Sequence, residues 1–206
     1  MRNTLGTFTA TIGALFAAIA LVAVAGCHSG DSSQTNARPG ASAAKATTKA
    51  TTKTSGDLAR GLQLLHAARD LDGQTVGSAP ADKEVTAIIV FASWCGPCRA
   101  ELAVLGKLRN TEPKLRVIGV NYYEEFDDLS DESKLRSYVA DNAPWLQVVR
   151  ADEALFEALG RPPKIPTLFV FDKQGRLVES FLRAERPQPP TMAELKKSID
   201  RALSRG

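Results

Sequence analysis

At 206 residues, with 44% apolar and 24% charged side chains, the chain is long enough to bury a core without disulfide staples. Its three cysteines are too few and too unevenly placed for a disulfide framework: Cys27 stands alone, and Cys95 and Cys98 stand together. The formal charge of +3 belongs mostly to residues 27 to 56, where Arg38, Lys45, Lys49 and Lys53 face only Asp31; from residue 57 onward the chain is close to neutral, which excludes a nucleic-acid footprint.

Arg2 leads into an uncharged stretch from Asn3 to Cys27 whose apolar core runs from Ile12 to Val24. That pattern reads as an export signal, too short and too rich in small residues for a membrane span. Val24-Ala25-Gly26-Cys27 resembles the lipobox of bacterial lipoproteins, which implies cleavage after residue 26 and a diacylglycerol on the Cys27 thiol. Two acyl chains would anchor the protein stably, whereas one binds only marginally. An ordinary secretory signal, with Cys27 incidental, is the other reading. From Ser29 to about Ser55 the chain is Ser, Thr, Ala, Lys, Gly and Pro without apolar periodicity, and Lys-Ala-Thr-Thr-Lys at 45 to 49 is nearly copied at 49 to 53. Such a segment cannot bury enough to offset chain entropy and reads as a flexible tether. The expected organisation is a signal peptide at 1–26, a lipidated cysteine and linker at 27–56, and one domain at 57–206.

Leu58 to Ala68 predicts a helix with Leu58, Leu62 and Leu65 on one face, although Gly61 disfavours it. Val85 to Ala92 is a continuous apolar run, as in a strand buried on both faces. A helix follows from Cys95 to about Arg109, with Leu102, Leu105 and Leu108 at helical spacing, and Leu115 to Tyr122 reads as a second buried strand. Together they form a β-α-β unit, which argues for a parallel pair. Tyr122, Tyr123 and Glu124 to Asp128 then read as a strand end running into a solvated acidic loop. Helices are expected from about Asp131 to Asp141 and from Asp152 to Leu159, with Asp152 capping the start and Gly160 the end, and Gln147 to Arg150 is a short strand between them. Thr167 to Phe171 and Leu177 to Leu182 flank Asp172-Lys173-Gln174-Gly175, a hairpin signal. Thr191-Met192-Ala193-Glu194 is a capping box that opens a last helix to about Ser204.

The chemistry stands where the first buried strand meets its helix, at Ser93-Trp94-Cys95-Gly96-Pro97-Cys98-Arg99. Cysteines at i and i+3 of a first helical turn can close and open a disulfide with little backbone movement. Cys95, beside unsatisfied backbone N–H groups at the positive end of the helix dipole, is the expected nucleophile. Cys98, one turn in and more shielded, is the expected resolving thiol that releases the reduced substrate. Gly96 lets a substrate backbone come close, and Pro97 costs nothing where an N–H would lack a partner. A zinc site would need a second ligand pair from Cys27, His28 and His66 alone. A purely structural disulfide across so short a loop would stabilise little. The dithiol reading calls for no cofactor and no metal.

Trp-Cys-Gly-Pro-Cys after an apolar strand resembles the thioredoxin superfamily. The expected lipid anchor, the linker and the extra segment before the hairpin resemble its TlpA/ResA-type membrane-tethered branch. The resemblance covers about residues 70 to 204 and implies a central mixed β-sheet flanked by helices, an α/β thioredoxin fold with a helical insertion before a cis-proline hairpin. Lys164-Ile165-Pro166-Thr167 matches the family's cis-proline loop. It implies that Pro166 keeps metal-binding or donor groups away from the cysteines while the Ile165 backbone pairs with an extended substrate; an ordinary turn proline is the alternative. Glu101 matches the acidic residue of the tethered branch, able to relay the proton of Cys98, against the plainer reading of a solvated helix glutamate. Trp94 would pack beside the disulfide on the substrate-facing surface, or else be a plain core aromatic. Two positions depart from the pattern: Ile89 where thioredoxins carry a buried Asp, and Ala103 where the branch often has proline. The resemblance implies a reductase on the extracytoplasmic face of a bacterial membrane. It would be fed by a membrane thiol relay and act on disulfides of exported proteins such as apocytochrome c. The reverse flow, an oxidase or isomerase, and a binding or copper-delivery module remain as alternatives.

Overall fold

The computed structural model describes residues 55–122, 124 and 132–205, so the expected signal, Cys27 and most of the linker lie outside the described residues. The elements run α1 (Ser55–Ala67), β1 (Val85–Phe91), α2 (Gly96–Thr111), β2 (Leu115–Asn121), α3 (Glu132–Asn142), β3 (Gln147–Arg150), α4 (Glu153–Ala158), β4 (Thr167–Phe171), β5 (Leu177–Phe181) and α5 (Met192–Leu203). The five strands form one sheet in the order β3-β2-β1-β4-β5. β1, β2 and β3 are parallel neighbours, and β4 and β5 run antiparallel to the strands they pair with.

Every residue of β1 is buried, because its side chains alternate between two apolar layers. Ala87, Ile89 and Phe91 join Leu102, Leu105 and Leu108 of α2, Leu135 of α3 and Leu195 and Ile199 of α5 on one side. Ile88 and Val90 join Leu58, Leu62 and Leu65 of α1 with Leu155, Phe156 and Leu159 of α4 on the other. Each layer alone leaves a sheet face bare, so the fold is a three-layer sandwich, the thioredoxin arrangement expected from the sequence. Gly61, the residue that argued against α1, is where that helix meets α4: a Cβ there would stand 3.0 Å from Leu159 Cδ2 and 3.3 Å from the Ala158 carbonyl. Close packing outweighs the helix-propensity cost.

The segment between β2 and β4 holds α3, β3 and α4, so the expected helical insertion also carries a strand that extends the sheet. Asp152 caps α4 by accepting from the Leu155 N–H at 2.8 Å. Thr191 and Glu194 form both arms of the capping box that opens α5. No helix among the described residues is long and apolar enough to cross a membrane.

Candidate active site

The parallel strands β1 and β2 end side by side, Phe91 opposite Asn121, and the chain leaves β1 through Ala92, Ser93 and Trp94 into α2. Cys95 is the N-cap of α2: its backbone is extended (φ −82°, ψ 101°) and its Sγ accepts the Cys98 N–H at 3.2 Å. Pro97 falls in the first turn, where no intrahelical acceptor exists for its missing N–H. Cys95 and Cys98 are joined in a disulfide with Cα atoms 5.3 Å apart.

The two sulfurs differ in access. Cys95 lines a groove of about 700 Å³ together with Trp94, Gly96 and Pro97, whereas Cys98 is completely buried and does not line it. A Cβ on Gly96 would meet nothing within 4 Å, so the groove is open at that point. Trp94 is 50% exposed, which overturns the core-aromatic reading.

The loop before β4 also lines the groove. The Ile165–Pro166 peptide is cis, as the family resemblance implied. Thr167 pairs with Val90 in the β1–β4 ladder, and its hydroxyl donates to Lys164 O at 2.9 Å, which holds this loop against the end of β1. Lys164 and Ile165 line the groove; Pro166 is buried and does not. Among the described residues, neither the N–H nor the C=O of Ile165 has a backbone partner. That edge is free for an extended chain.

Glu101 lies one helical turn beyond Cys98 and is 3% exposed, which overturns the solvated reading. Its Oε1 has no hydrogen-bond partner. Burial pushes the carboxyl up to about 7, against the opposing pull of Arg186 and Arg183 nearby. Ile89, where thioredoxins carry an acid, is buried in the apolar layer that also holds Cys98.

Two features were not foreseen. Glu124, expected in a solvated loop, is buried and accepts from the Ser93 N–H at 2.6 Å, the Ser93 hydroxyl at 2.7 Å and Asn121 Nδ2 at 2.7 Å. Asn121 Nδ2 also reaches Phe91 O at 3.3 Å, so one carboxylate ties the ends of β1 and β2 to the residue before Trp94. The rest of that segment, positions 125–128, and Tyr123 lie outside the described residues. A hint was available: Asn121 and Glu124 follow a buried strand three residues apart, but their common partner Ser93 is distant in sequence. The second feature is the third wall of the groove, Arg183 to Pro187, supplied by the chain after β5. Glu124→Ala strips partners from buried donors. It is expected to destabilise the oxidised protein by about 2 kcal/mol or more in urea unfolding, given ~1–3 kcal/mol per unsatisfied group.

A thioredoxin-type sandwich with a dithiol at the N-terminus of the helix after β1 is the architecture of a thiol:disulfide oxidoreductase. The Redoxin family model matches residues 42–199, and the chain belongs to that family. Among solved structures, the fold is similar to a thioredoxin-like protein from Aeropyrum pernix (18% identity, TM-score 0.55, 70% of this chain and 95% of that one). It is also similar to a secreted Mycobacterium tuberculosis disulfide oxidoreductase homologous to E. coli DsbE (16%, 0.52, 68% and 97%). A third similar structure is a putative thioredoxin from Neisseria meningitidis (24%, 0.51, 66% and 85%). At these identities the likeness shows the fold. A search of curated proteins returns no significant match.

Proposed function

We propose that this redoxin is a reductase of disulfides in exported proteins, apocytochrome c among them, held to the outer face of a bacterial membrane by lipid on Cys27. In this reading residues 1–26 are the signal peptide, 27–56 the lipidated cysteine and linker, and 57–206 the catalytic domain. The observation that carries the redox step is the asymmetry of the pair, Cys95 on the groove and Cys98 beneath it.

The cycle balances as two exchanges. In the reduced protein the Cys95 thiolate, stabilised by the Cys98 N–H and the helix terminus, attacks one sulfur of a substrate disulfide, forming a mixed disulfide and expelling the other sulfur as a thiolate. Cys98 then loses its proton and attacks Cys95 Sγ, releasing the second substrate thiolate and closing the Cys95–Cys98 disulfide. Two electrons pass to the substrate, and a membrane thiol relay restores them through the reverse pair of exchanges. Glu101, a turn from Cys98, accepts the proton. Trp94, Gly96 and Pro97 flank the substrate, and the free edge of Ile165 pairs with its extended backbone, with Pro166 setting the turn behind it.

The direction rests on the Gly-Pro dipeptide between the cysteines, which thioredoxin shares; thioredoxin stands at about −270 mV, whereas the oxidant DsbA stands at about −120 mV. The Cys95/Cys98 couple, measured by thiol trapping in dithiothreitol or glutathione buffers with Cys95→Ser as control, is expected at about −250 mV or lower. A value near −150 mV would make the protein an oxidase or isomerase. The absence of any reversible couple would leave a binding or metal-delivery module. Intact-mass spectrometry of membrane-extracted protein checks the anchor, since an unmodified Cys27 overturns it.

A further inference from the structure

Resting on the reductase reading, we propose that the groove selects disulfides flanked by acidic residues in the polypeptide substrate, with Arg183 as the main determinant and Lys164 and Arg186 in support. The chain after β5 brings Arg183 and Arg186 into the same groove as Trp94 and Cys95, and Lys164 adjoins Ile165 on the cis-proline side. Three cations thus line one small groove, against a single acid, Glu185, in a domain whose sequence is otherwise close to neutral.

The cations are not equally spoken for. Arg186 is paired with Glu194 at 2.7 Å and lies over the Phe181 ring at 5.3 Å. Arg183 has no carboxylate partner among the described residues; its Nη1 donates to Arg186 O at 2.8 Å, which fixes the half-buried guanidinium at the groove wall. Lys164 has no ion pair among the described residues either. A half-buried guanidinium held by one backbone carbonyl keeps its other N–H groups for a ligand, and their fork geometry matches a carboxylate. Glu101, which also feels Arg183 and Arg186, is only partly ionised at neutral pH, because burial pushes its carboxyl up to about 7.

An extended substrate that pairs with Ile165 and presents its sulfur to Cys95 runs along this groove. Its residues on either side of the cysteine face Lys164 and the arginine wall. Acidic residues there gain attraction during encounter and in the mixed disulfide, and basic residues meet like charge.

The test uses the reduced full-length protein and two disulfide-linked peptides identical except for Glu or Lys on both sides of the cysteine. A small neutral disulfide, dithiodipyridine, serves as a third substrate. The acidic peptide is expected to react roughly tenfold faster than the basic one at low ionic strength, and 0.5 M salt should shrink that ratio (about 4 Å Debye length). Arg183→Glu should abolish or invert the ratio, whereas Lys173→Glu, the same charge change on the β4–β5 turn, should preserve it. The ratio is taken within one variant, so a change in thiol reactivity cancels. Equal rates for the two peptides, with dithiodipyridine reduced normally, overturn the acidic preference and leave the reductase reading in place. Failure to reduce dithiodipyridine overturns both.

Discussion

Cys98→Ser is expected to turn the protein from a catalyst into a trap: turnover of a disulfide protein falls by about 10²-fold or more, and a mixed disulfide through Cys95 accumulates. In the proposed order of attack the first sulfur to react is the one on the groove, so the first exchange survives the substitution. The second does not, because Cys98 is the thiol held within one helical turn, its Cα 5.3 Å from that of Cys95. An intramolecular thiol at that separation acts at a high effective concentration, and its loss leaves only exchange with external thiols. Non-reducing gels and intact mass should show the adduct, and dithiothreitol should release it. Cys95→Ser should give no adduct, since Cys98 is completely buried and does not reach the groove. Equal trapping by the two variants, or normal turnover by Cys98→Ser, would remove the assigned order of attack.

What could be read from the sequence, and what could not, divides along a physical line. β1 and β2 were legible because a strand covered on both faces has to be apolar throughout, and the start of α2 was legible because Trp-Cys-Gly-Pro-Cys joins a capping position to a proline tolerated only in the first turn. The capping box of α5 is likewise a local rule, satisfied within four residues. The ambiguous positions are those decided by distant partners. Gly61 looked like a helix weakness because its reason, the backbone of α4, lies nearly a hundred residues away. Glu101 and Glu124 carry the same side chain. The sequence cannot say that one is buried with an unpartnered oxygen and the other is buried with three donors, since both depend on what the fold packs over them. The arginine wall was missed for the same reason: Arg183 and Arg186 line the groove with Cys95 only because β5 returns antiparallel to β4.

Glu101→Gln is expected to raise stability at alkaline pH while slowing the chemistry, and the opposite signs make the substitution informative. Burial raises the folded-state pKa from 4.5 to about 7, so between those values the folded protein keeps a proton that the unfolded chain gives up. Stability therefore falls as pH rises through that window, and above it the buried charge costs on the order of 3 kcal/mol. Glutamine, shaped like the protonated acid, escapes this cost: the variant should match the wild type near pH 4 and exceed it by about that amount at pH 8 in urea unfolding. A purely structural glutamate would produce this stability difference and nothing more. If Glu101 accepts the proton of Cys98, the wild-type resolution rate should rise with an apparent pKa near 7, and the variant should lose that limb while Cys95 still attacks at its usual rate. Unchanged resolution kinetics across pH 5.5 to 8.5, alongside the expected gain in stability, would take the relay away from Glu101. If the limb is lost instead, a buried carboxylate that weakens the fold at neutral pH, one helical turn from the less accessible sulfur, is explained by the one step in the cycle that needs a base inside the protein.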